Sequence, residues 1–212
     1  MTDSHPPLAR LKRQIEALSP SLGDGHRGRA SLGLSALDAR LGGGIAKGAV
    51  HELLPCTAED GASAAAFALM LAARLSGSAG KILWIATDAQ LRRGGQPYGP
   101  GLRGLGLDPD QLILVTTPDD LACLKAASDS LACAGLAAVI IEAGETKRLD
   151  LTASRRLALA AERSGVTALL LRPGESVIAS AAASRWQVAS APSVRLPGQA
   201  PGHPMLSLSL VR

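Results

Sequence analysis

The segment AVHELLPCTAEDGASAAAF (49–67) has the residue order of a phosphate-binding loop, namely an apolar strand, a short polar turn and an Ala-rich helix. A working loop needs glycines whose backbone amides surround the phosphates, a Lys that reaches the β and γ oxygens, and a Ser or Thr for magnesium. Gly61 and Ser63 are present, but Ala62 stands at the Lys position and Leu54-Pro55 replaces the opening Gly. We therefore expect no ATP hydrolysis. A plain strand-to-helix turn that never bound nucleotide is the alternative.

Two acidic residues end other predicted strands and complete a vestigial nucleotide site with Gly61, Ala62 and Ser63. Glu142 ends AAVIIE, where an NTPase keeps a Walker B Asp for magnesium; a solvated acid at a strand end is the simpler interpretation. Asp88 ends KILWIATD, where a recombinase-type ATPase would place the Glu that activates water. Asp is one methylene shorter, and catalytic geometry tolerates little displacement. We predict no catalytic residue and no cofactor.

No nucleophilic or metal-binding constellation is evident. The histidines are scattered, and His51, inside a strand, is predicted to be a core or edge residue with an ordinary hydrogen bond. The three cysteines are odd in number and lack ligand spacing, which favours a reduced cytoplasmic setting and no metal. The glycine cluster LGGG (41–44) predicts a helix stop and turn, and GGQPYGPG (94–101) predicts a surface loop.

The composition indicates a folded domain with limited means of binding nucleic acid. The 212 residues are 47% apolar and 19% charged, with a net charge of +4 and only 2% aromatics. Mild positive charge permits weak, salt-sensitive DNA contact, but few rings are available for base stacking. The candidate contacts with DNA or an acidic partner are the paired arginines Arg92, Arg93, Arg155 and Arg156. The longest apolar run (64–73) is too short to span a bilayer, so we expect no membrane association.

Alternating apolar runs and helical patterns predict an α/β fold. We expect strands near 48–54, 81–87, 111–116, 137–142 and 166–172, and helices near 62–76, 118–133 and 151–164. Runs such as AAVIIE and VTALLL lack a polar face, as expected of parallel strands buried on both sides. SRWQVAS and MLSLSLV alternate, which predicts two antiparallel strands at one sheet edge. Thr117-Pro118-Asp119-Asp120 predicts a helix start with Thr117 as the cap.

An amphipathic helix over residues 8–18 is predicted to precede the core. Its narrow apolar seam consists of Leu8, Leu11, Ile15 and Leu18, and a polar linker (19–30) follows. We therefore divide the chain into an N-terminal helix and linker (1–30) and a core domain (31–212). The helix either packs on its own domain or docks on another chain.

Several segments resemble known proteins. SLGLSALDARLGGGIAKGAVHEL (31–53), LGLDPDQLILVTTPDD and AAVIIEA are similar to the RecA core, which implies a three-layer αβα domain with a mainly parallel sheet. The combination of GAVHELL, KILWIATD, YGPGLRGLGLDPDQL, TASRRLALAAERSG and ASRWQVASAP more closely resembles the inducible-mutagenesis A family, over roughly residues 31–192.

The resemblance implies a non-catalytic adaptor in SOS mutagenesis. Such proteins accompany a catalytically defective Y-family polymerase homologue and an error-prone replicative-type polymerase, so the expected partner is the Y-family-like subunit, with RecA or a second copy as further options. It implies a cytoplasmic protein that joins the nucleoid when DNA is damaged, with weak or indirect DNA contact. The alternatives are a RecA-like recombination ATPase and a RecA-like SOS inhibitor of cell division. The short segments after AAVIIE and VTALLL leave no long DNA-binding loops, so strand exchange is not expected.

Overall fold

The computed structural model describes residues 28–78, 80–144, 149–172, 179–200 and 202–211. Apolar runs form the strands of one seven-stranded sheet. Its strands are β3 (Val50–Pro55), β4 (Lys81–Thr87), β5 (Leu112–Thr117), β6 (Leu136–Glu142), β7 (Thr167–Leu171), β8 (Ser184–Ala191) and β9 (Met205–Leu210). Two short strands, β1 (Arg29–Ala30) and β2 (Ile45–Ala46), form a separate antiparallel ribbon.

The order of the sheet is β5-β4-β6-β7-β3-β8-β9. The strands β3 to β8 all run parallel to one another, and only β9 is antiparallel, paired with β8. The predicted α/β class, the mainly parallel sheet and the antiparallel C-terminal pair are confirmed. Of that pair, β9 forms the sheet edge, whereas β8 lies between β3 and β9.

Helices cover both faces of the sheet and produce the three layers. They are α1 (Ser35–Arg40), α2 (Gly61–Ser76), α3 (Asp88–Gly94), α4 (Gly99–Gly104), α5 (Asp120–Leu131) and α6 (Leu151–Ser164). The side chains of α2 pack with one apolar cluster on one face, and those of α5 and α6 pack with a second cluster on the other. Because successive strand residues point to opposite faces, the central strands supply both clusters, which explains their continuous apolar runs.

Two local predictions were wrong. The cap of α5 is Asp119, whose carboxylate accepts from the Ala122 amide at 2.8 Å; Thr117 instead donates its hydroxyl to the Ala86 carbonyl at 3.2 Å, within the sheet. A carboxylate in extended conformation just before the helix is the stronger acceptor. Part of the predicted loop 94–101 is helical, since α4 begins at Gly99 with Pro in its first turn.

The glycine cluster behaves as predicted, because α1 ends at Arg40 and a turn follows. Gly44 has φ of 121°, and a Cβ there would meet the Ala30 carbonyl oxygen, so only glycine fits. The predicted seam Leu8, Leu11, Ile15 and Leu18 and most of the predicted linker lie outside the described residues. No helix in the described part of the chain is long and apolar enough to cross a membrane.

Candidate functional site at the carboxyl edge of the sheet

The carboxyl edge of the parallel strands gathers the residues of the predicted vestigial site. In open α/β sheets ligands bind at this edge. Glu142 pairs in register with Ala86 of β4 on one side and with Leu171 of β7 on the other, and Leu171 pairs with Leu53 of β3. The turn after β3, Asp88 after β4 and Glu142 therefore lie along one edge, with β7 between β3 and β6.

The turn that follows β3 is closed by its own side chains. The amide and hydroxyl of Thr57 both donate to the Asp60 carboxylate, at 3.2 and 3.0 Å, and residues Ala58–Asp60 form one 3-10 turn. Helix α2 begins directly at Gly61, whose φ of −54° is an ordinary helical value. Gly61 and Ala62 are exposed, and Ser63 is half-buried. The turn is therefore a compact helix start, without the wide glycine loop that surrounds phosphates.

Asp60 ties this turn to β8. Its second carboxylate oxygen accepts from the Ser190 amide at 2.7 Å and from the Ser190 hydroxyl at 2.9 Å, and the residue is only 5% exposed. The bond from the Ser190 backbone, followed by that from its hydroxyl, holds the pKa of Asp60 below the usual value. A fixed negative charge therefore stands immediately before the first turn of α2. Sequence analysis missed this contact because its partners are 130 residues apart.

Glu142 is not the solvated acid that the simpler interpretation predicted. It is half-buried, and its carboxylate accepts from the Trp84 indole nitrogen at 3.0 Å. Burial raises its pKa, although the indole bond acts in the opposite direction. The Trp84 ring is 6% exposed and belongs to the α2-side cluster. This acid is thus occupied by a neighbouring side chain on the face of the sheet that α2 covers.

Asp88 lies apart from this contact. It is the first residue of α3 and is exposed, while Thr87 accepts from the Gln90 amide at 3.2 Å as the helix cap. Among the described residues, no hydrogen bond connects Asp88 with Glu142 or with the turn after β3. The edge brings the five predicted residues to one side of the sheet without joining them into a site.

A buried ionic cluster, which the sequence analysis did not predict, lies between β3 and β8. Glu52 is completely buried, and its two carboxylate oxygens accept from Arg172 at 2.8 Å and from Arg185 at 2.7 Å. Arg172 also donates to the Leu149 carbonyl at 2.9 Å, and Arg185 to the Ser180 hydroxyl at 3.0 Å. The sequence did contain a signal for this cluster. Each of three apolar strand regions carries one charged residue, and a buried charge needs a partner.

A second polar chain joins the beginnings of the same two strands. The His51 ring is 1% exposed, with Nδ1 2.7 Å from the Ser184 hydroxyl and Nε2 2.8 Å from the Ala46 carbonyl. Ser184 also accepts from the Trp186 indole at 2.7 Å. Burial lowers the pKa of His51 to about 4. The prediction of a core histidine with ordinary hydrogen bonds is confirmed.

The remaining candidates are spread over the surface. Arg92 and Arg93 are exposed on α3, and Arg155 and Arg156 are exposed on α6.

Within the ranges that the structure describes, no group of His, Cys, Asp and Glu is arranged to hold a metal ion. All three cysteines are free thiols, and burial raises the pKa of Cys123 to about 12.

Comparison with known proteins finds relatives that match most of the chain. Two curated proteins, each called Protein ImuA and coming from two strains of Caulobacter vibrioides, are each 38% identical to the chain over 165 residues. The match covers 72% of this chain and 64% of each relative, so the chain spans a little under two thirds of the length of these relatives. No family model matches the chain.

Proposed function

We propose, from the premise that the chain is an ImuA-like protein, that it is a non-catalytic adaptor of damage-induced mutagenesis. It binds a Y-family-like polymerase subunit and hydrolyses no ATP. The family resemblance supports the setting, and the geometry of the carboxyl edge supports the loss of catalysis.

The Asp60 carboxylate is the observation that carries the proposal. A phosphate bound at a helix start relies on free amides, the positive end of the helix dipole and, in an ATPase, a Lys. Here the helix start follows a buried anion held by Ser190 and Thr57, and Ala62 supplies no cation. A triphosphate would meet repulsion where it needs attraction. Loss of one such electrostatic contact typically costs about 10² or more in rate.

Glu142 supports the same conclusion. An acid that holds magnesium must be ionised and open towards the metal, whereas this one is half-buried, has a raised pKa and accepts from Trp84. The Trp84 indole donates a hydrogen bond to one of the two carboxylate oxygens, and ATP hydrolysis requires no such donor.

Turnover is tested with purified full-length protein and with Glu142→Ala and Asp88→Ala variants. We expect all three to release phosphate from Mg-ATP at the same background rate. A rate typical of ATPases in the wild type, lost in Glu142→Ala, would refute the non-catalytic proposal and favour the RecA-like ATPase. An equal trace in all three would indicate a contaminant and leave the proposal standing.

The adaptor role is tested by co-purification with the Y-family-like subunit. We expect a stable complex with full-length protein and loss of damage-induced mutagenesis when the gene is deleted. If the chain fails to bind the subunit and deletion leaves mutagenesis intact, the adaptor proposal is wrong. If the chain instead binds a tubulin-like GTPase and blocks its polymerisation, the division-inhibitor alternative is correct.

Two features are the proposed contacts with the partner. The strand β9 forms an edge of the sheet, and its backbone could extend a partner's sheet. The apolar seam predicted over residues 8–18 is the other, and it serves a partner only when it is not packed on its own domain. If Leu11→Asp and Ile15→Asp leave the complex intact, the seam is excluded as a contact and β9 remains.

A further inference from the structure

The corner between α1 and β9 is an incompletely covered part of the apolar core. Leu206, Leu208 and Leu210 of β9 are half-buried and pack against the α2-side cluster, whereas Met205, Ser207 and Ser209 alternate with them and are exposed. Helix α2 packs chiefly over the strands from β4 to β8. A groove of about 340 Å³ remains here, lined by Leu37, Arg40, Trp186, Leu208, Ser209 and Leu210.

Helix α1 forms one wall of this groove and is a short, partly exposed element. It has six residues, none of them buried, and no side chain caps its start. Helices this short gain little stability from their own hydrogen bonds and depend on packing. Hydrogen bonds tie it to the preceding chain: the Asp38 carboxylate accepts from the Ser31 hydroxyl at 2.7 Å and from the Leu32 and Gly33 amides at 2.8 and 3.2 Å, and the Arg29 guanidinium donates to the Leu41 carbonyl at 2.6 Å.

The chain that precedes the described residues begins beside this groove. Gly28 is the first described residue, and Arg29 contacts Leu41, the neighbour of the groove residue Arg40. Residues 19–27 can span up to about 30 Å when extended. The predicted helix 8–18 would be about 16 Å long. The tether therefore suffices to place that segment in the groove.

We infer that residues 8–18 dock in the groove between α1 and β9 of their own chain. The seam Leu8, Leu11, Ile15 and Leu18 is narrow and apolar, and the groove offers three leucines and an indole with one cation at the rim. A short tether keeps the segment at an effective concentration of about 1 mM. Even a weak contact with a dissociation constant of about 0.1 mM would then be about tenfold more often closed than open. A second copy at micromolar concentration cannot compete with that. This inference does not depend on the adaptor proposal.

Hydrogen exchange of the full-length protein tests the docking. Docking adds packing to α1 and to β9, so we expect Leu11→Asp/Ile15→Asp to speed amide exchange in Ser35–Arg40 and Met205–Leu210 by about tenfold. The opposite sheet edge, Leu112–Thr117, serves as an internal reference and should not change. The matched control is Ala9→Asp/Ala17→Asp, which adds two carboxylates to the opposite face of the same predicted helix and should exchange like the wild type.

The outcomes are distinct. Acceleration confined to the two groove elements in the seam variant, at every protein concentration, supports docking within one chain. Equal exchange in seam variant, control and wild type overturns it. Protection of the groove that grows with protein concentration, together with a dimer mass, would overturn it in favour of a second copy. Failure to bind the polymerase subunit would leave these results unaffected, so this inference and the adaptor proposal fail separately.

Discussion

Strand β8 has two very different neighbours. Towards β3 it makes polar contacts near both of its ends: Ser184 with His51, Arg185 with Glu52, and Ser190 with Asp60 beyond the end of β3. Towards β9 it has backbone pairing and half-covered leucines. The polar side chains of β8 are thus bonded to β3 and to the turn that follows it, whereas apolar side chains of β9 remain half-covered at the flank. The difference makes the flank at β9, and not the carboxyl edge, the place in the described sheet where apolar side chains remain half-covered.

The largest expected effect comes from breaking the buried ionic cluster. Glu52→Gln leaves Arg172 and Arg185 buried without a counter-charge, and removing one partner of a buried pair typically costs about 3–5 kcal/mol. The free energy of unfolding in urea measures this loss. Glu59→Gln, at an exposed position of the following turn, is the control and should change stability by less than about 0.5 kcal/mol. A loss of stability below about 1 kcal/mol in Glu52→Gln would mean that the contact between β3 and β8 is not held by charge.

The His51 contact predicts a pH-dependent stability. Because the native pKa is about 4 and the unfolded value is about 6.5, the unfolded chain takes up a proton first as the pH falls. Stability that His51 contributes is therefore complete above pH 6.5 and is lost between about pH 6.5 and pH 4, by about 3 kcal/mol at most. His51→Gln should be less stable at pH 7 but flatter across that window. Because carboxylates titrate in both proteins, the test is the difference between their two curves of stability against pH. Parallel curves would contradict the prediction.

Two leucines on either side of β8 sharpen the comparison. Leu53 of β3 is completely buried, whereas Leu208 of β9 is half-buried. Leu53→Ala should cost about 2–5 kcal/mol, because it removes contacts and leaves a cavity. Leu208→Ala should cost about 1 kcal/mol, in proportion to the apolar area that it covers. Equal losses in urea denaturation would show that the flank at β9 is as well packed as the contact between β3 and β8. They would remove the reason to expect a partner at the flank.

The smallest expected effect concerns DNA. The net charge of +4 and the exposed pair Arg155 and Arg156 predict weak binding to single strands that falls steeply with salt and is indifferent to sequence. Arg155→Ala/Arg156→Ala should reduce the salt slope by at most about 2. Arg163→Ala, exposed at the other end of α6, is the control. Nanomolar binding that persists at high salt would contradict the prediction.

The elements could be predicted from sequence because each was encoded locally. Runs such as VTALLL are long enough and apolar enough to indicate a strand buried on both faces, and the alternation in MLSLSLV indicated an edge. The contacts of the carboxyl edge could not be predicted in the same way. Glu52 meets Arg172 and Arg185 across separations of 120 and 133 residues, and Asp60 meets Ser190 across 130. Only the order of the strands, which places β3 between β7 and β8, brings these side chains together.

The α5 cap shows a smaller failure of the same kind. Thr117 and Asp119 are both residue types that cap helices, and the choice between them depends on where β5 ends. Since Thr117 still pairs with Thr87 of β4, its hydroxyl is committed to the sheet and Asp119 becomes the cap. The deciding fact is that β5 continues two residues beyond its apolar run. Pairing with the neighbouring strand β4 causes this extension, and the local sequence does not reveal it.

Binding of the Y-family-like subunit, measured with and without Mg-ATP, tests the central claim most directly. The full-length chain is titrated into the purified subunit, and the dissociation constant is compared under the two conditions and with Asp60→Ala. We predict a saturable complex whose dissociation constant is the same in all three cases within about twofold, since in this proposal the carboxyl edge of the sheet takes no part in binding. Absence of a complex, or a complex that forms only with Mg-ATP, would contradict the account.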